Sequence, residues 1–349
     1  MRMKVAVVVA LAQIGVLAYM AGQREWVTRT GRVVSLRTSP IDPNDRMRGE
    51  YVRLSYEISQ VPRALCRDDA AKWFDDKRPG ARYLDRRVYA ALRVDPYGGA
   101  ELVALSDKPP GDGPFVRGRV DYLNAGQPSA DLRVRYGIEA LFVEEGAAKK
   151  LEEQRRGDKA GVPLDVDVSL GVGGLAVIKG YHWEPLGIVL TTDRPQQPAR
   201  GTQPAGPRPG IQGATIVLKN HSDKAVAILA SSFRLINNTQ RGPGHFRWVG
   251  EDAPPRGVTP EDVRLLQPGE EFRVHLDFTR PEWSVSDMSK PDGAGLHVTL
   301  GAMMNTWDAS FRIEYSPPPA ADCAGLPNAE LIWHGRLPSR AFNPTGGVD

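Results

Sequence analysis

Three patterns of apolar and polar residues organise the chain. The first is an uncharged apolar segment, Val5 to Gln23, that follows Arg2 and Lys4. At ~1.5 Å per residue it would form a helix of about 28 Å, close to the ~30 Å hydrocarbon core of a bilayer. The second is the alternation from Tyr51 to Ile58, which predicts a strand with one buried face. The third is a Pro/Gly-rich segment at 193–212.

The apolar segment predicts a transmembrane signal-anchor over residues 1–23. The positive charges before it favour a cytoplasmic N-terminus. The chain would then be a single-pass protein of the inner (cytoplasmic) membrane, with its bulk outside the cytoplasm. A cleaved signal peptide is the alternative. Cleavage requires small residues, whereas Tyr19 and Met20 occupy the −3 positions of the two candidate sites.

The Pro/Gly-rich segment predicts a linker, because it lacks the large apolar residues whose burial offsets the entropy of ordering. It separates a first domain, residues 24–192, from a second domain, residues 213–349. Both domains are rich in strand-forming residues, so the predicted fold is mainly β. One or two short helices are expected, at 68–74 and 146–156.

Short strands separated by polar turns in the second domain favour an immunoglobulin-like sandwich. Its strand candidates are 214–220, 225–236, 271–278, 295–304 and 310–315.

Composition excludes several classes of protein. The net charge of +3 disfavours a nucleic-acid binder, since such domains carry strongly basic patches. The 36 glycines and 29 prolines disfavour a helical bundle. The two cysteines, Cys66 and Cys323, lie in different predicted domains and could form one disulfide in an oxidising compartment. Two unrelated thiols fit the sequence equally well.

The segment 49–56, GEYVRLSY, resembles the signature of the GDYXXLXY family of uncharacterised bacterial membrane-anchored proteins. Glu50 replaces the Asp of that signature. Residues 136–139 and 142–146 resemble a second recurrent stretch of the family, and the apolar anchor has the same place. The resemblance covers about residues 1–185. It implies an envelope location and brings no established activity.

The signature residues admit two interpretations. In the structural one, Gly49 permits a turn, and Leu54 and Tyr56 then enter the buried face of a strand. In the functional one, exposed side chains of the same segment bind a ligand or partner. The motif residues are Arg48, Gly49, Glu50, Tyr51, Leu54 and Tyr56, with Arg53 beside them.

No catalytic, cofactor or metal residues are predicted. The six histidines form no zinc-binding pattern. The segment 171–176, GVGGLA, matches a dinucleotide-binding pattern, but strand-like residues follow it where a helix is required, so a hairpin turn is expected. The favoured function is a non-enzymatic interaction module that has the membrane and an envelope protein as partners. An extracytoplasmic hydrolase or a small-ligand sensor, with a site near Arg48–Arg53, is the alternative. The oligomeric state stays open.

Overall fold

The computed structural model describes residues 2–39, 51–75, 83–123, 131–142, 151, 154, 161–193, 210–237, 246–251, 257–287, 297–303, 309–344 and 347–348. Within them the protein is mainly β, and its α-helical segments include α1 (Arg2–Thr30) and α2 (Asp68–Lys72). The predicted fold class is confirmed at this level. Helix α2 matches the helix predicted at 68–74. Of the candidate at 146–156, the structure describes residues 151 and 154, and both are helical.

Helix α1 continues past the predicted 1–23 segment to Thr30. In the part of the chain that the structure describes, no helix is both long and apolar enough to cross a membrane, contrary to the predicted transmembrane anchor. The end of α1 is held by strand residues. The carbonyl oxygen of Val27 accepts hydrogen bonds from the Ser169 hydroxyl at 2.6 Å and from the Gly31 amide at 2.8 Å.

The chain forms two compact units. The first comprises 1–126, 131–148 and 164–182, and the second comprises 127–130, 149–163 and 183–349. The strands of the first unit are β1 (Arg32–Ser39), β2 (Tyr51–Arg53), β3 (Ser55–Tyr56), β4 (Gln60–Pro62), β5 (Arg87–Val94), β6 (Ala100–Ser106), β7 (Phe115–Leu123), β8 (Asp131–Arg135), β9 (Ala140–Phe142), β10 (Leu164–Leu170) and β11 (Ala176–Trp183).

Antiparallel pairing arranges these strands in three sheets, with the orders β4-β8-β7-β5-β6, β11-β10-β1-β3 and β2-β9. Burial alternates along the central strands: Val116 and Val120 of β7 are buried, as are Val88 and Ala90 of β5. One face of the five-stranded sheet therefore packs on the core, and the other carries polar side chains.

Residues 171–174 form the turn between β10 and β11. The Gly171 amide donates to the carbonyl oxygen of Leu175 at 2.9 Å, which closes the turn. Gly174 has a φ of +72°, and a Cβ there would lie 2.6 Å from the Phe115 ring. The predicted hairpin is confirmed, and the glycines of this segment serve a tight turn packed against β7.

The strands of the second unit are β12 (Leu186–Thr192), β13 (Gly213–Asn220), β14 (Val226–Leu229), β15 (Phe233–Asn237), β16 (Phe246–Trp248), β17 (Val263–Leu266), β18 (Glu271–Asp277), β19 (Ser284–Asp287), β20 (His297–Thr299), β21 (Phe311–Tyr315), β22 (Leu337–Pro338), β23 (Phe342–Asn343) and β24 (Gly347–Val348). The sheet orders are β12-β13-β18, β14-β17, β15-β21-β23-β24 with β22 beside β21, and β16-β19-β20. The finer prediction, an immunoglobulin-like sandwich, is not confirmed by these pairings.

Strand β12 lies within the predicted first domain, but it pairs along its whole length with β13 of the second unit. The Asp193 amide also donates to the carbonyl oxygen of Gly213 at 2.9 Å. The segment 193–212 thus leaves from and returns to neighbouring strands of one sheet, and does not connect the two units. Residues 194–209 themselves lie outside the described part of the chain.

Candidate functional site

The signature segment is divided between two strands. Arg48, Gly49 and Glu50 lie outside the described residues. The single strand expected at 51–58 is interrupted, because β2 pairs with β9 whereas β3 pairs with β1, and a 3-10 turn follows at Glu57–Ser59. Leu54 and Tyr56 are nevertheless 2% and 0% exposed, which confirms the buried face that the alternation predicts.

The two stretches that carry the family resemblance bind each other. Strand β2 of the signature pairs with β9, so that Arg53 lies opposite Ala140. The Leu54 amide donates to the carbonyl oxygen of Glu139 at 2.7 Å. The two sequence patterns are therefore halves of one structural element.

Two buried tyrosines connect these halves reciprocally. The Tyr56 hydroxyl donates to the carbonyl oxygen of Ile138 at 2.7 Å, and the Tyr136 hydroxyl donates to that of Ile58 at 2.7 Å. Burial raises the pKa of both phenols, and the nearby charge of Glu139 raises them further. Both hydroxyls thus stay protonated and serve as hydrogen-bond donors.

The Glu139 carboxylate holds the turn that precedes β9. Its two oxygens accept hydrogen bonds from the backbone amides of Tyr136 and Gly137, the latter at 2.9 Å. Gly137 has a φ of +78°, a conformation that side chains with a Cβ disfavour. The described part of the signature region is thus a packing and hydrogen-bonding centre. Among its predicted residues, Arg53 is the one whose side chain is seen at the surface.

Cys66 and Cys323 are free, buried thiols in different units, and the bridge considered above is not formed. Cys66 is held by a backbone bridge to Leu105, and Cys323 packs in a small cluster with Leu229 and Ile332. Burial raises the pKa of Cys66 to about 12. Burial also raises the pKa of Cys323.

In the first unit, Asp165 and His182 have ligand atoms within 4.8 Å of each other, as a metal ion requires. The guanidinium of Arg37, however, engages both oxygens of the Asp165 carboxylate, at 3.1 and 3.3 Å. Asp167 accepts a hydrogen bond from Ser35 at 2.7 Å and lies 3.3 Å from His182. These carboxylates already have cationic or hydroxyl partners, so the arrangement favours structural bonding over a metal.

The second unit carries a wide groove of about 1550 Å³. Strands β15 and β16 form one side, and the turns at Val249–Glu251 and Pro281–Trp283 form another. Aromatic rings define its interior. The rings of Trp248 and Trp283 stack with centroids 6.4 Å apart, and the Trp248 indole donates to the carbonyl oxygen of Glu282 at 2.8 Å. Sequence reasoning missed this groove, since its residues come from segments far apart in the chain.

The arginines at the groove are paired with carboxylates of the same unit. Arg234 binds the buried carboxylate of Glu314. Arg247 lies 3.2 Å from Glu251, and Arg280 lies 3.5 Å from Asp277. Three arginines thus surround an aromatic interior.

His275 also lines the groove, within a hydroxyl–imidazole–carboxylate arrangement. The register of β13 and β18 places Thr215 opposite His275, with 3.4 Å between the hydroxyl oxygen and Nδ1. Nε2 lies 3.7 Å from the Asp193 carboxylate. The imidazole and the carboxylate are about half exposed. These long, solvated contacts differ from the short hydrogen bonds that activate a nucleophile.

Comparison with known proteins identifies the first half of the chain. Residues 13–180 match the model of a protein family. That family is described as GDYXXLXY protein, so the segment that contains the signature belongs to it, as the resemblance predicts. No curated protein and no solved structure matches the chain. The match ends at residue 180 and the first unit ends at residue 182. The groove belongs to the second unit and therefore lies outside the family segment.

Proposed function

We propose that the protein is a non-enzymatic interaction module of the bacterial envelope, and that the groove of its second unit binds a protein partner. One observation carries the proposal: a wide groove with stacked tryptophans inside and arginines around it. The partner would insert aromatic or aliphatic side chains between Trp248 and the strands opposite. Its location outside the cytoplasm is part of the proposal and rests on the family resemblance.

The size of the groove supports a macromolecular partner. Pockets for small ligands measure roughly 300–1,000 Å³ and enclose most of the ligand. At about 1550 Å³, this groove is larger. Tryptophan and arginine are also the residues that most often dominate binding energy at protein interfaces. The groove has both, with the rings inside and the charges at the edge, which is the usual layout of an interface.

The electrostatics of the groove also favour binding over catalysis. A carboxylate serves general acid–base chemistry best when its pKa is raised toward the working pH. Hydrogen bonds from Thr279, aided by Arg280, lower the pKa of Asp277 instead and keep this carboxylate ionised. Glu251 and Glu314 are paired with arginines. Such paired charges orient a partner and set specificity.

Site-directed photo-crosslinking in cells tests the groove. A benzophenone amino acid replaces Val249, which is 41% exposed at the groove, and in a control it replaces Leu331, which is 37% exposed in the same unit outside it. We expect one defined partner to be crosslinked at position 249 and not at position 331.

The partner is then purified, and its affinity is measured for the wild-type protein, Val249→Asp and Leu331→Asp. An apolar side chain desolvated at an interface contributes about 1–2 kcal/mol, so Val249→Asp should weaken binding at least ~10-fold. Leu331→Asp should leave the affinity within about 2-fold. Equal affinities for all three proteins would overturn the proposed use of the groove.

The location requires a separate measurement. We expect protease added to spheroplasts to digest the two units of the full-length protein. Complete protection, with digestion only after lysis, would exclude an extracytoplasmic site of action.

A further inference from the structure

Arginines form a row across three strands of the five-stranded sheet in the first unit. Arg119 of β7 lies directly opposite Arg87 of β5 on one side and Arg135 of β8 on the other. Arg117 lies two residues away on β7, on the same face. Like charges that face each other across strands destabilise a sheet. Four cations placed together in this way therefore need an explanation.

The acidic residues nearby neutralise only one end of the row. Arg135 binds the carboxylates of Asp85 at 3.0 Å and Asp121 at 2.8 Å. Arg119 donates to the backbone carbonyl of Asp85 at 2.8 Å and forms no ion pair with a carboxylate in the part of the chain that the structure describes. Among the described residues, neither Arg87 nor Arg117 has a carboxylate partner.

These arginines surround a basin of about 330 Å³. Leu175, from the β10–β11 turn, and the Tyr136–Glu139 turn complete its wall. The Glu139 carboxylate, which also lines the basin, is already engaged by the amides of Tyr136 and Gly137. The hydrogen-bond donors of the arginines thus converge on a concave surface, and the carboxylates beside them already have partners.

We propose that this basin is a binding site for a phosphate group. A guanidinium offers a planar fork of donors that matches phosphate and carboxylate oxygens. Three guanidiniums that form no ion pair with a carboxylate of the described residues match a phosphate monoester or inorganic phosphate, with about two negative charges, better than a single carboxylate. The volume lies at the lower end of the range for small-ligand pockets, which suits a phosphate-bearing molecule or a lipid headgroup.

The site is independent of the proposed function. It lies on the first unit, within the segment that matches the family, whereas the partner groove belongs to the second unit. Loss of binding at one site would leave binding at the other unaffected, so each proposal can fail without the other.

Titration calorimetry of the full-length protein with inorganic phosphate tests the site. We expect saturable binding that weakens as salt is added, since exposed charges are screened. Each of these substitutions removes a charged hydrogen-bond donor, so Arg117→Gln and Arg119→Gln should each weaken binding at least ~10-fold. The matched control is Arg133→Gln: this exposed arginine of β8 lies outside the basin. Its affinity should stay within about 2-fold of wild type.

Stability separates a binding role from a structural one. Without phosphate, Arg119→Gln should unfold at the same or a higher urea concentration than wild type, because the substitution removes repulsion within the row. With phosphate, the wild-type protein should gain stability and the variant should not. A variant that is destabilised without phosphate and still binds it normally would show that Arg119 serves the fold, and the site would be refuted.

Vesicles distinguish the source of the phosphate. The full-length wild type, Arg119→Gln and Arg133→Gln are sedimented with phosphatidylcholine vesicles that contain or lack phosphatidic acid. Phosphatidic acid-dependent binding that only Arg119→Gln loses would identify a lipid headgroup, whereas binding to free phosphate alone would identify a soluble ligand. Both results support the site. Two results would overturn the site. One is an equal loss of binding for Arg119→Gln and Arg133→Gln. The other is no binding to either form of phosphate at about 10 mM, which is ~100-fold above a Kd of 0.1 mM.

Discussion

The reciprocal tyrosine contacts allow a quantitative test of the signature region. Tyr56→Phe and Tyr136→Phe each remove one buried hydroxyl and keep the ring. A lost hydrogen bond costs about 0.5–1.5 kcal/mol, and a buried carbonyl left without its donor raises this to about 1–3 kcal/mol. We therefore expect each substitution to lower the free energy of unfolding of the first unit by about 1–2 kcal/mol. Tyr122→Phe is the control, because this ring is 56% exposed.

The assay must follow the first unit separately, because a chain of two units need not unfold in one step. Hydrogen exchange measured by mass spectrometry reports the local free energy of opening for peptides that contain β3 and β9. Because both bonds join the same two stretches, the double variant should deviate from additivity by about 0.5 kcal/mol or more. Exchange in Tyr56→Phe and Tyr136→Phe that is no faster than in Tyr122→Phe would refute the stabilising role of the two buried hydroxyls.

The same two hydrogen bonds make the stability of the first unit depend on pH. The pKa of Tyr56 and of Tyr136 is raised in the folded protein, whereas the unfolded chain ionises near pH ~10. Their contribution to stability is therefore complete below pH ~10 and is lost as the pH rises further, at up to ~1.4 kcal/mol per pH unit for each group. When denaturation is measured between pH 9 and 11, the stability lost with rising pH should be smaller in the double Phe variant than in the wild type.

Three further predictions follow from local geometry. Gly174→Ala should destabilise the first unit by about 1–3 kcal/mol in urea denaturation, because Gly174 has a positive φ and lies beside the Phe115 ring. The control is Gly173→Ala, which should cost less than about 1 kcal/mol because the space around Gly173 is open. Arg37→Met should cost about 3–5 kcal/mol in the same assay, because it leaves the Asp165 carboxylate buried without its cation. Cys66 should react with a thiol reagent at pH 8 only when urea unfolds the chain, as read by intact mass; rapid labelling of the folded protein would contradict its burial.

Local patterns predicted much of the first unit. The alternation at 51–58 placed Leu54 and Tyr56 in the core even though the strand is interrupted. The glycines at 171–174 predicted a hairpin, because strand-forming residues flank them on both sides. Side-chain periodicity and turn chemistry are properties of neighbouring residues, so they can be read without knowledge of the fold.

Features that depend on register could not be predicted. Nothing in the sequence of β12 indicates that it pairs with β13 across a long Pro/Gly-rich segment. The row formed by Arg87, Arg119 and Arg135 exists only because three strands align in one register. The groove of the second unit likewise combines strands distant in the chain. Composition suggested a linker at 193–212, but pairing partners determine what that segment connects.

The closure of β12 on β13 also bears on how the protein can vary and be modified. The bond between the Asp193 amide and the Gly213 carbonyl fixes the two ends of the intervening segment beside each other. For a loop between fixed ends, each doubling of length costs only about 0.6 kcal/mol of closure entropy. Insertions there should thus leave the pairing of both strands intact. The segment is a natural position for an epitope tag or a fluorescent domain, and for length changes between relatives.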